Sequence, residues 1–362
     1  LLISCLKKDS FESKHLTMQN NNLFYISRNY KFSKNAASKP KMDCENVLSK
    51  MGFKNQGFKQ SNHPSSAIGA IISFFGITKG LILLPFSSTL CMQYPLSKFF
   101  NYKVGVAKLK GCKIVLIVHD VKTLMGKNKD VEKEMKRFNK ADVLVLHNEV
   151  MMKWFTENGY KGKMVPLYLF DYLLAHNQEL PETPKHAGKE IVFAGGLGME
   201  KSAFLYKVDE LEQKDFTLKL YGNGYQKEKV NENSTLDYQG VFAPDEVLDK
   251  MKGNFGLVWN GNAIKECDGA FGKYIQYNNP HKTSLYLLAG LPVIVWDKAA
   301  VAKLIEEEQI GFAISSLDEL SEKLGNIDDA TYSKMVSNVD AIRHKITNGH
   351  FLQAAVGNAL QH

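Results

Sequence analysis

The sequence has few cysteines, and their spacing matches neither a disulfide framework nor a metal site. Five cysteines are scattered over the 362 residues, at positions 5, 44, 91, 112 and 267, and no CxxC pair occurs. Small disulfide-stabilised domains and structural zinc sites depend on closely spaced cysteines. We therefore expect no zinc site and a reducing compartment, the cytoplasm, and we leave open attachment to the inner face of the membrane.

Motifs of nucleic-acid-binding proteins are also missing. No aromatic RNP-like strand, zinc-finger spacing or basic helix occurs, so nucleic acid is not an expected partner. The 46 basic and 38 acidic residues give a formal charge of +8, which is spread without a long run. This diffuse excess suits an anionic substrate or peripheral contact with a negatively charged membrane, and a general effect on solubility explains it equally well.

A long uninterrupted hydrophobic run is absent. The most apolar region, 67–86, is divided by the tripeptide Thr78-Lys79-Gly80. About 20 apolar residues are needed to cross a bilayer, so neither part of the region suffices. We interpret the region as a helix over Ser66–Phe75 followed by a buried strand over Leu81–Phe86.

Short apolar runs alternate with helix-length segments along the chain, which is typical of parallel α/β folds. We place an N-terminal Rossmann-like domain at 18–175, a proline-containing linker at 176–189 and a second Rossmann-like domain at 190–339. The segment 340–362 is predicted to form a C-terminal helix. Residues 1–17 lack the apolar core of a signal peptide, so we treat them as an extension.

The most informative segment is 277–296, YNNPHKTSLYLLAGLPVIVW. Pro280 suits a first helical turn, and Asn278 or Asn279 can cap the free amides of that turn. The helix ends at Gly290, and the apolar run after it predicts a strand that is covered on both faces. The segment therefore predicts one αβ unit of a parallel sheet.

The first turn of this predicted helix has the composition of an anion site. Lys282 lies among the free amides, next to Thr283 and to the hydroxyl group of Ser284. A cation, outward N–H groups and the positive end of the helix dipole all favour bound phosphate. We therefore predict that this turn binds a diphosphate.

The same segment resembles the nucleotide-sugar signature of glycosyltransferases with the two-Rossmann GT-B fold, in which a Pro-x-Lys helix start precedes a Leu-Ala-x-Gly-Ile/Leu-Pro-Val-Ile segment. Within that superfamily the chain, from about Leu23 onward, is most similar to bacterial beta-1,6-galactofuranosyltransferases. More remotely it resembles the glucosyltransferases that extend O-glycans on bacterial serine-rich adhesins. The resemblance implies two Rossmann-like domains facing across a cleft, the first for the acceptor and the second for the nucleotide-sugar. It also implies a C-terminal helix, 340–361, that crosses back to the first domain.

One departure from the wider superfamily concerns two glutamates. Many retaining GT-B enzymes carry glutamate at the positions of Leu285 and Tyr277 in this sequence. The galactofuranosyltransferase-like branch also lacks them, so their absence favours that branch. The sequence leaves open which residues bind the ribose of the donor.

Two further glycine-rich turns follow predicted strands in the second half. Gly195 and Gly196 follow the first strand, and glycines there let backbone amides approach phosphate closely. Tyr221-Gly222 ends the next strand. The resemblance implies that these turns border the donor, with Phe242 or Tyr221 packing near uracil.

His119-Asp120 ends the strongly apolar strand 113–118. Ligands of open α/β sheets bind beyond the carboxyl ends of the strands, which favours a chemical role for this pair. An equally weighted alternative is that Asp120 caps the following helix and His119 is a buried hydrogen-bonding partner. The resemblance implies that the pair positions sugar hydroxyls, with Asp120 as the general base.

Two loops complete the predicted site. The loop with Ser27-Arg28-Asn29-Tyr30 and then Ala36-Ala37-Ser38 is a ligand loop in related enzymes, although a plain surface loop fits the residues better. The glycine-rich and aromatic segment 260–274 is predicted to close over the sugar, because long irregular loops in compact domains are usually functional or mobile.

The resemblance implies transfer of a hexosyl unit, best matched by galactofuranose, from a UDP-sugar to a glycan acceptor in the synthesis of surface polysaccharide or glycoconjugate. No DxD motif is evident, so Lys282 and the amides would stabilise the leaving diphosphate without a metal, and no cofactor is expected beyond the UDP-sugar substrate. Two alternatives stay open: a UDP-glucose-dependent glucosyltransferase acting on a glycoprotein, and a non-catalytic glycosyltransferase-like subunit. A lipid-linked acceptor and homo-oligomerisation also stay open.

Overall fold

The computed structural model describes residues 22–30, 38–95 and 99–361. It contains two six-stranded sheets in which every pairing is parallel. The predicted extension 1–17 and Ala36-Ala37 of the predicted ligand loop lie outside the described residues. The α/β fold expected from the alternation of apolar runs and helix-length segments is confirmed.

The first sheet has the strand order β2-β1-β3-β4-β5-β6. Its strands are β1 (Leu23–Tyr25), β2 (Lys54–Asn55), β3 (Thr89–Tyr94), β4 (Lys113–Val118), β5 (Val143–Leu146) and β6 (Lys163–Pro166). The helices between them are α1 (Lys39–Lys50), α2 (Ser66–Leu83), α3 (Phe100–Leu109), α4 (Val131–Phe138) and α5 (Glu149–Glu157). Strand β4 lies in the middle, and its residues 114–118 are fully buried, as helices on both faces of a parallel sheet require.

The second sheet has the order β12-β11-β10-β7-β8-β9. Its strands are β7 (Glu190–Ala194), β8 (Thr217–Tyr221), β9 (Leu236–Gly240), β10 (Phe255–Val258), β11 (Val293–Trp296) and β12 (Gly311–Ile314). The helices are α6 (Met199–Ser202), α7 (Pro244–Lys250), α8 (Gly269–Ile275), α9 (His281–Leu288), α10 (Ala302–Glu307), α11 (Leu320–Gly325), α12 (Asp329–Thr347) and α13 (His350–Leu360). Three short 3-10 helices lie at Ala203–Glu210, Lys227–Lys229 and Leu317–Glu319.

Helix α2 contradicts the predicted helix end at Phe75, the predicted strand Leu81–Phe86 and the expectation that no part of this region is long enough to cross a bilayer. It runs without a break through Thr78-Lys79-Gly80 to Leu83, so Leu81–Phe86 is not a strand, and β3 lies between β1 and β4 instead. Gly80 packs on Ile26, the residue directly after β1, since a Cβ atom at position 80 would lie 3.0 Å from the Ile26 side chain. Close packing outweighs the low helix propensity of glycine at this position.

The last helix, α13, crosses back onto the first sheet, as the resemblance implied, but the predicted single helix 340–361 is divided at 348–349 between α12 and α13. Lys163, at the start of β6, donates hydrogen bonds to the carbonyl oxygens of Asn358 (2.6 Å) and Gln361 (2.9 Å). The preceding helix, α12, packs on α9 of the second half. The turn between α12 and α13 contains Gly349 at φ +76°, where a Cβ would lie 2.5 Å from the side chain of Val47. Only glycine fits so close to α1 in that conformation.

Candidate active site

The carboxyl ends of the two sheets face each other across a cleft. The rings of His119, which follows β4, and of His281, which opens α9, stack with their centroids 6.1 Å apart. Phe170 contacts both rings, at 5.5 Å from His119 and 3.9 Å from His281. These rings lie beyond the carboxyl ends of the strands, which is where open α/β sheets bind their ligands.

Helix α9 begins in an unexpected way. Its N-cap residue is Pro280, in extended conformation, and no side chain caps the first turn. The prediction that Asn278 or Asn279 caps these amides is therefore wrong. Because the first amides of a helix have no intrahelical partner, the first turn of α9 retains its capacity to bind an anion.

Asn279 joins the two halves of the molecule instead. Its backbone N–H donates to Nδ1 of His147 (3.0 Å), and its side-chain amide donates to the backbone oxygens of His147 (3.2 Å) and Tyr168. Its Oδ1 accepts a bond of 2.6 Å from Asn148. All these partners follow strands β5 and β6, so Asn279 fixes the start of α9 against the first sheet.

Lys282 lies in the predicted turn. Its Nζ atom is shielded from solvent, has no hydrogen-bond partner, and lies 3.8 Å from the ring centroid of Phe193. Burial, and next the charge of Lys201, hold the pKa of Lys282 well below its usual value. A buried cation with only an aromatic ring as partner is unstable without an anion, and binding a diphosphate would restore its charge.

Unsatisfied polar atoms concentrate at this helix start. Among the described residues, four consecutive side chains of α9 each bury a polar atom without a partner: His281 Nδ1, Lys282 Nζ, Thr283 Oγ1 and Ser284 Oγ. His119 Nδ1 is also buried without a partner. Buried polar groups are rarely left unsatisfied in native proteins, and such a concentration indicates a polar ligand.

His119 is buried, and its Nε2 lies 2.7 Å from Oε1 of Gln93. Burial lowers the pKa of His119 well below its usual value, and His281 adds to the effect. Burial also lowers the pKa of His281 to about 3. Both imidazoles are therefore neutral at physiological pH. The bond to Gln93 occupies Nε2–H of His119, which leaves Nδ1 able to accept a hydrogen bond from a sugar hydroxyl.

Asp120 lies at the meeting point of the two halves. The Tyr274 hydroxyl, from α8, lies 3.5 Å from Oδ1 of Asp120 and accepts a bond of 3.3 Å from the amide of Val121. Burial raises the pKa of Asp120, and the charges of Lys41, Lys127 and Lys201 oppose that shift. The carboxylate thus lies among lysines from both halves of the cleft.

The two glycine-rich turns of the second sheet lie side by side. A Cβ at Gly222 would lie 1.7 Å from the carbonyl oxygen of Gly195, and a Cβ at Gly195 would lie 3.9 Å from Nζ of Lys282. Gly195 therefore lies beside Lys282, whereas no atom lies within 4 Å of a Cβ placed at Gly196. Tyr221 is buried in the core, and its hydroxyl is hydrogen-bonded to the backbone of residues 250 and 252. The ring of Phe242 is half-buried, and its centroid lies 6.2 Å from that of the Tyr221 ring.

A buried carboxylate binds the loop after β1 through hydrogen bonds. Ser27 and Tyr30 donate hydrogen bonds of 2.6 and 2.7 Å to Glu45 of α1. Arg28 lies 5.1 Å from the ring of Tyr30. Burial lowers the pKa of nearby Lys103 to about 7. This polar group was not predicted, because its members are spread over some 80 positions of the sequence.

The segment 260–274 contributes contacts between the halves. The Phe271 ring lies between Lys127 and Lys201, at 5.7 Å from each ammonium group. Tyr274 packs in the core of the first half. No group of three or more His, Cys, Asp or Glu side chains suited to a metal occurs within 22–30, 38–95 and 99–361.

Two facing Rossmann-like sheets define the GT-B fold class of glycosyltransferases. Residues 24–169 match the family described as Glucosyltransferase 3-like, N-terminal domain, and residues 191–359 match its C-terminal domain. Among solved structures, trehalose-6-phosphate synthase OtsA superimposes with a TM-score of 0.57 at 9% identity, covering 94% of this chain and 99% of that one. That likeness shows the shared fold.

Sequence relatives narrow the class. The chain is 33% identical over 287 residues to the beta-1,6-galactofuranosyltransferase WbbI of Escherichia coli strain K12. The aligned region covers 78% of this chain and 82% of that protein. It is 29% identical over 261 residues to Glucosyltransferase 3 of Streptococcus parasanguinis, covering 70% and 72% respectively. The chain therefore belongs to the glucosyltransferase 3-like family of GT-B glycosyltransferases, which confirms the resemblance to these enzymes.

Proposed function

We propose that this glycosyltransferase transfers a hexosyl unit, best matched by galactofuranose, from a UDP-sugar to a glycan acceptor. The observation that carries the proposal is the unpartnered Nζ of Lys282, which is buried at the uncapped start of α9 and faces the turn of Gly195. A diphosphate supplies the negative charge and the acceptor oxygens that this position requires.

The donor would lie with its diphosphate on Lys282 and the amides of α9, and with its uracil near Phe242. An acceptor hydroxyl attacks the anomeric carbon while the bond from that carbon to the phosphate oxygen breaks. The electron pair of the broken bond leaves on UDP, and Lys282 and the helix amides stabilise the added charge. Asp120 takes the proton of the hydroxyl as general base.

The neutral histidines have a separate task. Nδ1 of His119 is a free acceptor, and the stacked group of His119, Phe170 and His281 forms an apolar wall with polar edges. Sugars are commonly bound by such combinations of ring faces and hydrogen-bonding edges. We infer that His119 accepts a hydrogen bond from a donor-sugar hydroxyl.

Galactofuranose is proposed as the unit because the relative with 33% identity carries that sugar in its name. A glucosyl unit transferred to a glycoprotein is the second candidate, supported by the relatives named Glucosyltransferase 3. UDP-galactofuranose and UDP-glucose should therefore be compared directly, with UDP-galactopyranose as a control of the same composition as the first.

The proposal is tested by measuring UDP release from these three donors and the melting temperature with UDP. A ligand that binds only the native state stabilises it by mass action, so UDP should raise the melting temperature, and EDTA should not reverse the shift. Absence of a shift at saturating UDP would remove the donor assignment. A shift that EDTA abolishes would require a metal in the site.

A further inference from the structure

One face of the first half exposes an unusual amount of apolar side chain. Ten of the fourteen large hydrophobic residues that are exposed among the described residues lie between positions 58 and 109. The most exposed are Phe75 (58%), Ile82 (71%), Phe86 (71%) and Leu109 (85%). These residues belong to α2, to the loop after it and to α3. We call the exposed apolar surface of these three segments the apolar face. Contiguous apolar surface of this kind normally marks an interaction site.

The apolar face is continuous across its two helices. Phe74 of α2 stacks on Tyr102 of α3 at 6.3 Å, and the Tyr102 hydroxyl donates to Thr78. At the other end, Lys110 donates hydrogen bonds of 2.8 Å to the carbonyl oxygens of Ile82 and Leu84. Lys110 thereby satisfies the last carbonyls of α2 and ties α3 to it.

Helix α2 is long and apolar enough to cross a membrane, yet only 33% of it is buried. Its glycines face the protein: a Cβ at Gly69 would lie 2.4 Å from Asn29, one at Gly76 would lie 3.1 Å from Phe58, and Gly80 packs on Ile26. The helix is therefore held to the first half along its whole length. A spanning arrangement would pull it out of these contacts, whereas a helix lying in the plane of an interface keeps them.

The charged residues around the apolar face indicate which kind of partner covers it. The 74 residues from 46 to 119 contain nine lysines and not one aspartate, glutamate or arginine. Lys54, Lys59 and Lys79 are exposed, and Lys79 lies 5.5 Å from the ring of Phe58. An apolar helix face bordered by lysines matches the interfacial helices that bind anionic lipid. A second copy of the chain would bring the same lysines against one another.

We propose that the apolar face docks onto the surface of an anionic lipid membrane, with α2 parallel to the bilayer plane. The side chains of Phe75, Ile82 and Phe86 enter the headgroup region, and the lysines contact lipid phosphates. In a cytoplasmic protein this surface is the inner face of the membrane.

The position of α2 also relates the membrane to the cleft. The amide of Asn29, in the loop after β1, donates to the hydroxyl of Ser73 in α2 at 3.2 Å. The Asn29 side chain also bonds to the backbone of His63, just before α2. If the proposed function holds, the acceptor side of the cleft thus lies next to the bilayer, where a lipid-linked glycan would be presented.

Vesicle flotation with the full chain tests the proposal. Wild type should float with vesicles of phosphatidylcholine and phosphatidylglycerol in equal amounts, and it should not float with phosphatidylcholine alone or at high salt. The triple variant Phe75→Ser, Ile82→Ser, Phe86→Ser should lose flotation. The control Val150→Ser, Val241→Ser removes exposed apolar side chains elsewhere (43% and 62% exposed) and should float as wild type does.

A second set of variants tests the charge. Each lysine near an anionic surface contributes about fivefold in partitioning, so Lys54→Gln, Lys59→Gln, Lys79→Gln together should weaken binding roughly 100-fold. The control replaces Lys136, Lys153 and Lys303 with Gln, because these are 74, 77 and 78% exposed on other surfaces. Equal loss in both sets would overturn the proposal.

The remaining outcomes are separated by light scattering. A wild-type dimer that becomes a monomer in the serine triple variant, and that does not bind vesicles, would assign the apolar face to a second copy and overturn the proposal. The melting-temperature shift with UDP should be the same in wild type and in both triple variants. Loss of vesicle binding with an intact UDP shift therefore tests the membrane proposal alone, and absence of the UDP shift tests only the proposed function.

Discussion

The hydroxyl group of Tyr274 lies 3.5 Å from Oδ1 of Asp120, so a side chain from one half of the molecule touches the carboxylate that ends the central strand of the other. The two residues are 154 positions apart in the chain. The contact exists only while the two halves are packed together, so the pKa of Asp120 depends on that packing.

Asp120→Asn keeps the size of the side chain and removes the base. If Asp120 takes the acceptor proton in an inverting displacement, turnover should fall by roughly 10²- to 10⁴-fold, the usual contribution of general acid–base catalysis. UDP affinity should stay near that of wild type, because the proposed diphosphate site lies on α9. Transfer kinetics and UDP titration measure the two effects separately, and a variant with near-wild-type turnover would favour a retaining route.

Tyr274→Phe removes the hydroxyl that helps to keep Asp120 ionised. Its loss should raise the pKa of Asp120 further above the usual carboxyl value, so the acidic limb of the rate profile should move to higher pH. The matched control is Tyr332→Phe, which deletes a buried hydroxyl bonded at 2.8 Å to the carbonyl of Asn254. Both variants should lose stability, and only Tyr274→Phe should shift the pH profile of transfer. An unchanged profile would assign Tyr274 to packing alone.

Lys282→Ala deletes the buried ammonium group of the proposed diphosphate site. A charge-assisted hydrogen bond contributes about 1.5–3 kcal/mol, so UDP affinity should fall by roughly 10- to 150-fold while the protein stays folded. Lys298→Ala is the control, because Lys298 also lies over an aromatic ring, 5.6 Å from Trp296, and is exposed. Calorimetric titration with UDP distinguishes them. Equal affinities in wild type and Lys282→Ala would remove the lysine from the site.

Asp171 predicts a pH dependence of stability. It accepts amide bonds from Phe351 (3.2 Å) and Leu352 (2.8 Å) at the start of α13, and burial raises its pKa to about 7. In the unfolded chain the pKa of aspartate is about 3.9, so between these values the folded protein keeps a proton that the unfolded chain has lost. The resulting stabilisation is fully present below pH ~4 and is lost as the pH rises to about 7.

Denaturant unfolding of wild type and Asp171→Asn at several pH values tests this assignment. The wild-type free energy of unfolding should decline relative to the variant by up to about 1.4 kcal/mol per pH unit between roughly pH 5 and 7. Asp328→Asn is the control: the Asp328 carboxylate caps α12 through Thr331, a hydrogen bond that lowers its pKa. The stabilisation by Asp328 is lost only in acid. The difference in unfolding free energy between wild type and Asp328→Asn should therefore be constant between roughly pH 5 and 7. Parallel pH curves for wild type and Asp171→Asn would contradict the raised pKa.

Local pattern was sufficient for several features of the site. The proline, the lysine and the apolar run of 277–296 indicated a helix start followed by a buried strand, and α9 and β11 have that form. Gly195 and Gly222 were identified from strand-end glycines, and the structure places their turns in contact. These signals are local, because a helix terminus or a tight turn is specified by a few adjacent residues.

Predictions from neighbouring residues were wrong where a residue far away in the chain determines the local structure. Asn279 is a good cap by composition, yet His147 and Asn148 of the other half engage it. The run Leu81–Phe86 is apolar enough for a strand, but short apolar runs are ambiguous, and packing of Gly80 on Ile26 continues the helix. His281 and Tyr274 fell within segments that the sequence singled out, and Phe170 did not. No pattern indicated that they meet His119 and Asp120, because these contacts join residues far apart in the chain.

The sequence by itself determined the parallel α/β architecture and the lysine-bearing start of helix α9, because strand burial and helix termini follow from the order of neighbouring side chains. The tertiary structure alone decided which groups share the cleft, that Lys282 is buried against Phe193, and that one apolar face of α2 stays exposed. Burial and charge pairing depend on residues far apart in the chain, so they become defined only when the two sheets pack.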